Sequence, residues 1–466
     1  MALPAAGVEA RDVDRCRAEI AAAGVRLDSE IVTVVDLEPR LFGRLQRLDR
    51  RRPWVPWQPG RDGPDFTFPP LLQQIAQQVG ENDIFEERDP VRGHQVIGRR
   101  DDIREVATRL LAGKSVGVFG LRKVGKTTLM RAVTDRLDAE GSALSVRASP
   151  DVLLSLETED ASQVAAVWVD CQGLYPRSVE GLADLLVDQL SARFPGAESS
   201  KADTRIGHLL ALIDECISRQ RLPLAIVLDE YDLLFLGSSG QDAISGLDVL
   251  FGGLRAISQT TERLALAVIG RDPSHFRRPT WNGVPNPMLN WFIPQWVGPL
   301  DRKGADDLLS TLGRRVGLRV GKATKDVAFE WTGGHPLLHR QYGSALRERV
   351  RSTGSRLEEV DTDPFCAEAI ELFLERDAVV DTCREIFDIL GARYPASGTL
   401  LEEMSLAEPG ARSGIMEALG GFRGEAAQML RNFGILKGVA VRPLLPAVIC
   451  WYAQNLHPAR NQSAAQ

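Results

Sequence analysis

Residues Gly120 to Thr127, GLRKVGKT, set two glycines, a lysine and a threonine at the spacing G-x-x-x-x-G-K-[ST]. A strand-like run, SVGVFG, precedes this stretch and a helix-like run, KTTLMRAVTDRLDAE, grows out of it. In that setting, backbone N–H groups and a helix N-terminus converge where phosphate oxygens would sit. The candidate phosphate-binding residues are Gly120, Leu121, Arg122, Lys123, Val124, Gly125, Lys126, Thr127 and Thr128. Lys126 would neutralise the β- and γ-phosphates of a nucleoside triphosphate, and the Thr127 hydroxyl would ligate Mg²⁺. A chance match is expected about once in a hundred chains of this composition.

The second constellation is LAIVLDEYD, residues 224–232, an apolar run ending in carboxylates. Asp229 can hold Mg²⁺ through water, and Glu230 can orient and polarise an attacking water. About a hundred residues after the glycine-rich loop, with one strand between, the pair favours hydrolysis over binding alone. Asp232 is read as a loop or cap carboxylate. Arg271, at the end of LALAVIGR, is a candidate reporter of the γ-phosphate, with a surface ion pair as the simpler role. His335 and His339 have the i, i+4 spacing of a metal pair, but the glutamate of HExxH is missing. GGHP is instead a turn into a helix that begins at Pro336.

These residues need elements to position them. SVGVFG (115–120), AAVWVDC (165–171), LAIVLDE (224–230), LALAVIG (264–270) and FIPQWVGPL (292–300) are apolar runs of strand length. The longer amphipathic segments between them predict an α/β fold, a parallel sheet with helices on both faces. The polar stretch 141–162 reads as an insertion. After Leu300 the pattern turns helical. The last segments predict helices plus a wing: GIMEALGGFRGEAAQMLRNFG as one helix, ILKGVAVRPLL as a hairpin and PAVICWYAQN as the closing helix. At the other end, residues 1–60 suggest a small αβα piece, and RRPWVPWQPGRDGPDFTFPP a loop or linker. The expected organisation is 1–84, an N-terminal α/β piece with its linker; 85–300, the sheet-containing core; 301–360, a helical lid; and 361–466, a winged-helix-like unit.

Composition sets the outer limits. The 466 residues are 44% hydrophobic and 26% charged, ordinary globular values. No apolar run is long enough to span a bilayer, and the early charges argue against a secretory leader, so a cytoplasmic location without membrane partners is expected. Six cysteines without a CxxC pair suit reduced thiols. The net charge of −7 offers no global attraction for nucleic acid. Between Asp381 and Arg460 there are eight lysines or arginines and eight aspartates or glutamates, so the C-terminal unit has no basic excess to displace counterions from DNA.

Taken in order, VIGRRDDIREV, the glycine-rich loop, LAIVLDEYD, VIGRDPSHF, VGPLDRKGADDLL and TGGHPLLHRQ resemble prokaryotic STAND-type ATPases of the broad AAA-like group, relatives of Orc/Cdc6-like ATPases. The resemblance covers about residues 85 to 455. It implies a P-loop NTPase core (Walker A and Walker B), a helical lid and a winged helix. It also implies that Val96, Ile97, Gly98 and Arg99 lie near the adenine of ATP, that Pro336 of the lid packs against the base, and that the sensor position falls at or near Arg271. The resemblance departs at one point, since the sequence places no counterpart of the histidine with which some STAND winged helices grip the β-phosphate.

The sequence therefore points first to a slow Mg²⁺-dependent ATPase that works as a switch between ATP and ADP states and controls self-association or a protein partner. An Orc/Cdc6-like nucleic-acid-binding ATPase is the less favoured alternative. A nucleotide-dependent interaction scaffold with little hydrolysis is the third.

Overall fold

In the computed structural model the described residues are 33–35, 54–56, 83–86, 96–137, 164–175, 177–197, 203–220, 223–236, 242–271, 273–316, 318–353, 363–439 and 441–457. The expected N-terminal helices and the insertion at 141–162 lie outside them. Two short strands, Thr33–Val35 and Trp54–Pro56, pair in parallel. The second falls in the segment read as a loop, since three residues ending in proline can still pair at a sheet edge.

The described residues form two compact units. One combines the described residues within 99–137, 164–299 and 382–457, and the other combines those within 33–98 and 300–381.

In the first unit, five strands form one parallel sheet: β1 (Val116–Phe119), β2 (Ala165–Asp170), β3 (Leu224–Asp229), β4 (Leu264–Gly270) and β5 (Ile293–Trp296). Their spatial order is β5-β1-β4-β3-β2. Every residue of β3 and β4 is buried, which is why both read as unbroken apolar runs rather than as alternating ones. Helices α1 (Arg100–Leu111) and α2 (Lys126–Leu137) pack on each other and on the sheet. Helices α3 (Val179–Arg193), α4 (Arg205–Gln220) and α5 (Leu247–Thr261) bury Leu186, Leu209, Ile213 and Leu250 in one core with Ile226, Leu266 and Val268. Parallel crossovers put helices on both faces, so each strand's two sides are covered.

The other unit is helical: α6 (Arg302–Arg315), α7 (Lys322–Thr332), α8 (Pro336–Thr353) and α9 (Asp363–Leu374). The Asp301 carboxylate caps α6 by accepting the Gly304 N–H at 2.7 Å. Pro336 does occupy the first position of α8. A short 3₁₀ turn, Ile84–Glu86, docks on α8: Phe85 is fully buried against Gly343, and Arg340 donates to the carbonyls of Ile84 and Phe85.

Helix α10 (Asp377–Arg393) leads into α11 (Pro395–Leu406), α12 (Arg412–Ala418) and α13 (Glu425–Asn432), then an antiparallel ribbon of β6 (Lys437–Val439) and β7 (Arg442–Leu444), and finally α14 (Ala447–Asn455). The hairpin is present as expected. The single helix expected over Gly414–Asn432 is not: Gly420 and Gly421, at φ +108° and +78°, break it into α12 and α13. Positive φ costs glycine little, and two such residues in succession end a helix. Phe433 then packs edge-on to Trp296 of β5, with ring centroids 5.3 Å apart, joining this segment to the sheet.

Candidate phosphate and metal site

The glycine-rich loop leaves the C-terminal end of β1 and is fixed by both neighbouring strand ends. Val297 N–H donates to the Phe119 carbonyl at 2.7 Å, and Gly120 N–H donates to the Arg271 carbonyl at 3.1 Å. A Cβ on Gly120 would stand 2.3 Å from the Val297 oxygen, so no other residue fits there. Gly125, at φ +97°, turns the chain into α2 with open space around it. Leu121 and Val124 are buried and anchor the loop, while Arg122 and Lys123 face solvent. Thr127 and Thr128 are half-buried in the first turn of α2.

Lys126 is buried, and its ammonium donates to the carbonyls of Gly120 (3.0 Å) and Leu121 (2.8 Å). Burial lowers its pKa, opposed by the negative charges of Glu230, Asp232 and Asp229. The Thr127 hydroxyl donates to Asp229 Oδ1 at 3.3 Å, joining two residues 102 positions apart. Burial pushes the Asp229 carboxyl up to about 6, against the hydrogen bond from Thr127, with Glu230 and Asp170 adding to the rise. Glu230 follows in the left-handed conformation at φ 52°. A residue without glycine's freedom in that region is uncommon, and such strain gathers at functional positions.

The structure thus brings Lys126, Thr127, Asp229, Glu230 and Arg271 together at adjoining strand ends. Asp232, expected on a loop or at a cap, lies in the 3₁₀ turn Tyr231–Leu234, and it fixes the backbone beyond β4, because its Oδ2 accepts the Arg271 N–H at 2.7 Å. Arg99 folds back on the loop, donating to the carbonyls of Val124 (2.9 Å) and Gly298 (2.5 Å).

Val96, Ile97 and Pro336, all half-buried, belong to the other unit. There two glycine turns close on one residue. The Leu300 N–H donates to the Gly334 carbonyl at 2.9 Å, and a Cβ on Gly98 would stand 3.0 Å from Leu300 Cδ2. His339 shares a 2.9 Å hydrogen bond with Thr332, and among the described residues no three or more His, Cys, Asp or Glu side chains gather as a metal-ligand set around it or elsewhere, so any Mg²⁺ would rely on a smaller protein donor set. The five cysteines among the described residues are free and buried.

Two residues near the loop escaped the sequence reading. Asp170 pairs in register with Asp229, and the rule that picked Asp229, an acid at the end of an apolar strand, would have found it. Glu385 of α10 stands 3.8 Å from Arg122 and had no sequence signal, because acids are ordinary on exposed helix faces.

The residues fit Mg²⁺ and a phosphorylated ligand. A buried ammonium sits within a glycine-framed turn, and a hydroxyl and a carboxylate, both hard oxygen donors, already face each other.

No family model matches the sequence, and no curated protein matches it. Among solved structures, the Walker-type ATPase PABY2304 of Pyrococcus abyssi is similar with a TM-score of 0.51 and 15% identity, over 79% of this chain and 99% of that one. The Aeropyrum pernix ORC2 protein (ADPNP–ADP complexes) gives 0.48 and 12%, over 81% and 98%. The Aeropyrum pernix ORC1 protein in complex with DNA gives 0.38 and 18%, over 83% and 97%. The fold is that of a P-loop ATPase: a five-stranded parallel sheet with flanking helices and a helical C-terminal region. No helix among the described residues is long and apolar enough to cross a membrane.

Proposed function

We propose that the chain is a Mg²⁺-dependent ATPase of the STAND/AAA-like kind, acting as a nucleotide switch on self-association or on a protein partner. The observation that carries the reading is the hydrogen bond between Thr127 and Asp229 beside the buried Lys126. Lys126 and the N–H groups of residues 120–128 would bind the phosphates. Thr127 and Asp229 would hold Mg²⁺, which when bound neutralises charge on the β- and γ-phosphates. Glu230 would orient a water and take its proton as the oxygen attacks, and Arg271 would bear on the γ-phosphate. Val96, Ile97, Arg99 and Pro336 are the residues that the resemblance assigns to the adenine. The proposed boundaries are 85–300 for the core, 301–360 for the lid and 361–466 for the winged-helix-like unit.

The Orc/Cdc6-like reading, an ATPase that places its C-terminal unit on nucleic acid, fits the same fold equally well. The ribbon β6–β7 directly after α13 favours it, because a wing beside a helix is a shape that docks on duplex DNA.

The direct test is ATP turnover together with particle mass for the wild type and Glu230→Gln, with and without nucleic acid. The amide keeps the shape of Glu230 but takes no proton, so Glu230→Gln should retain ATP and slow its hydrolysis by about 10²-fold or more. Turnover near the wild-type rate would make Glu230 structural. Assembly that follows ATP without nucleic acid supports the switch; assembly that requires nucleic acid supports the second reading.

A further inference from the structure

Helix α10 carries a carboxylate to the cations of the glycine-rich loop. Glu385 Oε2 lies 3.8 Å from Arg122 Nη1, with 28% of the glutamate side chain exposed against 59% of the arginine. Burial pushes the Glu385 carboxyl up, while Arg122, Arg271 and Lys126 draw it down and Glu230 adds to the rise. The same three cations that line the candidate phosphate site therefore bear on a side chain from the C-terminal half. Lys126 stands in the first turn of α2 and Arg271 just past the end of β4, and the Gly120 N–H bonded to the Arg271 carbonyl ties the start of the loop to that strand end.

Resting on the reading of this loop as a triphosphate site, we propose that Glu385 is a specificity-determining residue that favours the diphosphate over the triphosphate. A γ-phosphate brings additional negative charge and acceptor oxygens to the side of the site where Arg122 and Arg271 stand. Glu385 already supplies one anionic partner there, and two anions close together repel. With a diphosphate the carboxylate keeps its pairing with Arg122. With a triphosphate it has to give up part of that pairing. The nucleotide's third phosphate is thereby linked to the helix that leads into α11, α12 and α13.

The experiment is calorimetric titration of the full chain, in Mg²⁺, with ADP and with a non-hydrolysable ATP analogue. Wild type, Glu385→Gln, Glu385→Ala and Lys126→Ala are compared. Both Glu385 variants should bind the analogue about three- to fivefold more tightly, with ADP affinity changed less than about twofold, the upper end of the scale expected for a partly exposed ion pair. The Ala variant covers the case in which the Gln variant does not fold. An unchanged ADP-to-analogue ratio in a folded variant, with wild type binding both, overturns the role of Glu385 and leaves the triphosphate site intact. Failure of wild type to bind either nucleotide, or undiminished binding by Lys126→Ala, overturns the site reading itself and this proposal with it.

Discussion

Arg99 donates to the backbone carbonyl of Val124 at 2.9 Å and so ties the start of α1 to the middle of the glycine-rich loop. The same guanidinium donates to Gly298 at the exit of β5 and pairs with Asp102, and its side chain is only 8% exposed. One side chain thus braces the loop against both the start of α1 and the exit of β5.

Arg99→Ala should destabilise the chain by about 1–3 kcal/mol, because two part-buried carbonyls lose a charged donor. Arg99→Lys should recover part of the loss, since both carbonyls accept from one nitrogen, Nη2, which an ammonium can replace, whereas the separate pairing of Nη1 with Asp102 is lost. Denaturant midpoints for the three proteins check this. Equal stability would mean that water replaces the guanidinium without cost.

Lys126→Ala should abolish measurable ATP binding. The ammonium is held by the carbonyls of Gly120 and Leu121, already at the place where phosphate charge would accumulate, and no other buried cation on the loop replaces it. Unchanged nucleotide affinity by calorimetry would sink the phosphate-site assignment.

Asp229 predicts a pH dependence. Its carboxyl is pushed up from 3.8 to about 6 by burial first and then by Glu230 and Asp170. A carboxyl whose folded pKa exceeds its unfolded one binds more protons in the folded state, so stability falls as pH rises from about 4 to about 6 and is level above that. The loss is on the order of 3 kcal/mol at ~1.4 kcal/mol per tenfold. Asp229→Asn should remove this slope and be more stable than wild type near neutral pH without Mg²⁺. Urea unfolding across that range tests it, and identical slopes in both proteins would show that Asp229 titrates normally.

The full chain should not bind duplex DNA with sub-micromolar, salt-sensitive affinity. The eight basic and eight acidic residues between Asp381 and Arg460 leave no net charge to release phosphate counterions. On the ribbon, Val439, Val441 and Leu444 are exposed beside Lys437 and Arg442, a surface of mixed rather than basic character. Fluorescence anisotropy over a salt series checks this. Tight binding that weakens steeply with salt would promote the nucleic-acid reading over the switch.

The sequence by itself determined the parts of the site whose geometry is local. Gly120 and Gly125 supply backbone conformations that the turn demands, and Lys126 and Thr127 follow at fixed offsets on a new helix. Asp229 could be found because a fully buried strand has to be apolar and its end is where polarity returns. Fold class was legible for the same reason, as period and run length distinguish buried strands from amphipathic helices. The break between α12 and α13 was also written locally, in Gly420 and Gly421, but the apolar spacing on either side masked it.

Only the tertiary structure decided which of these parts meet. Inserting β4 between β1 and β3 sets the Arg271 carbonyl against Gly120 and its N–H against Asp232. Nothing in the residues around Arg271 specifies that neighbour, because strand order follows from how the crossover helices pack and not from strand composition. The closure of Gly98 and Gly334 on Leu300, and the approach of Glu385 to Arg122, are contacts of the same kind. Each joins residues far apart in the chain, where periodicity carries no information and only the shape of the packed core determines what lies within reach.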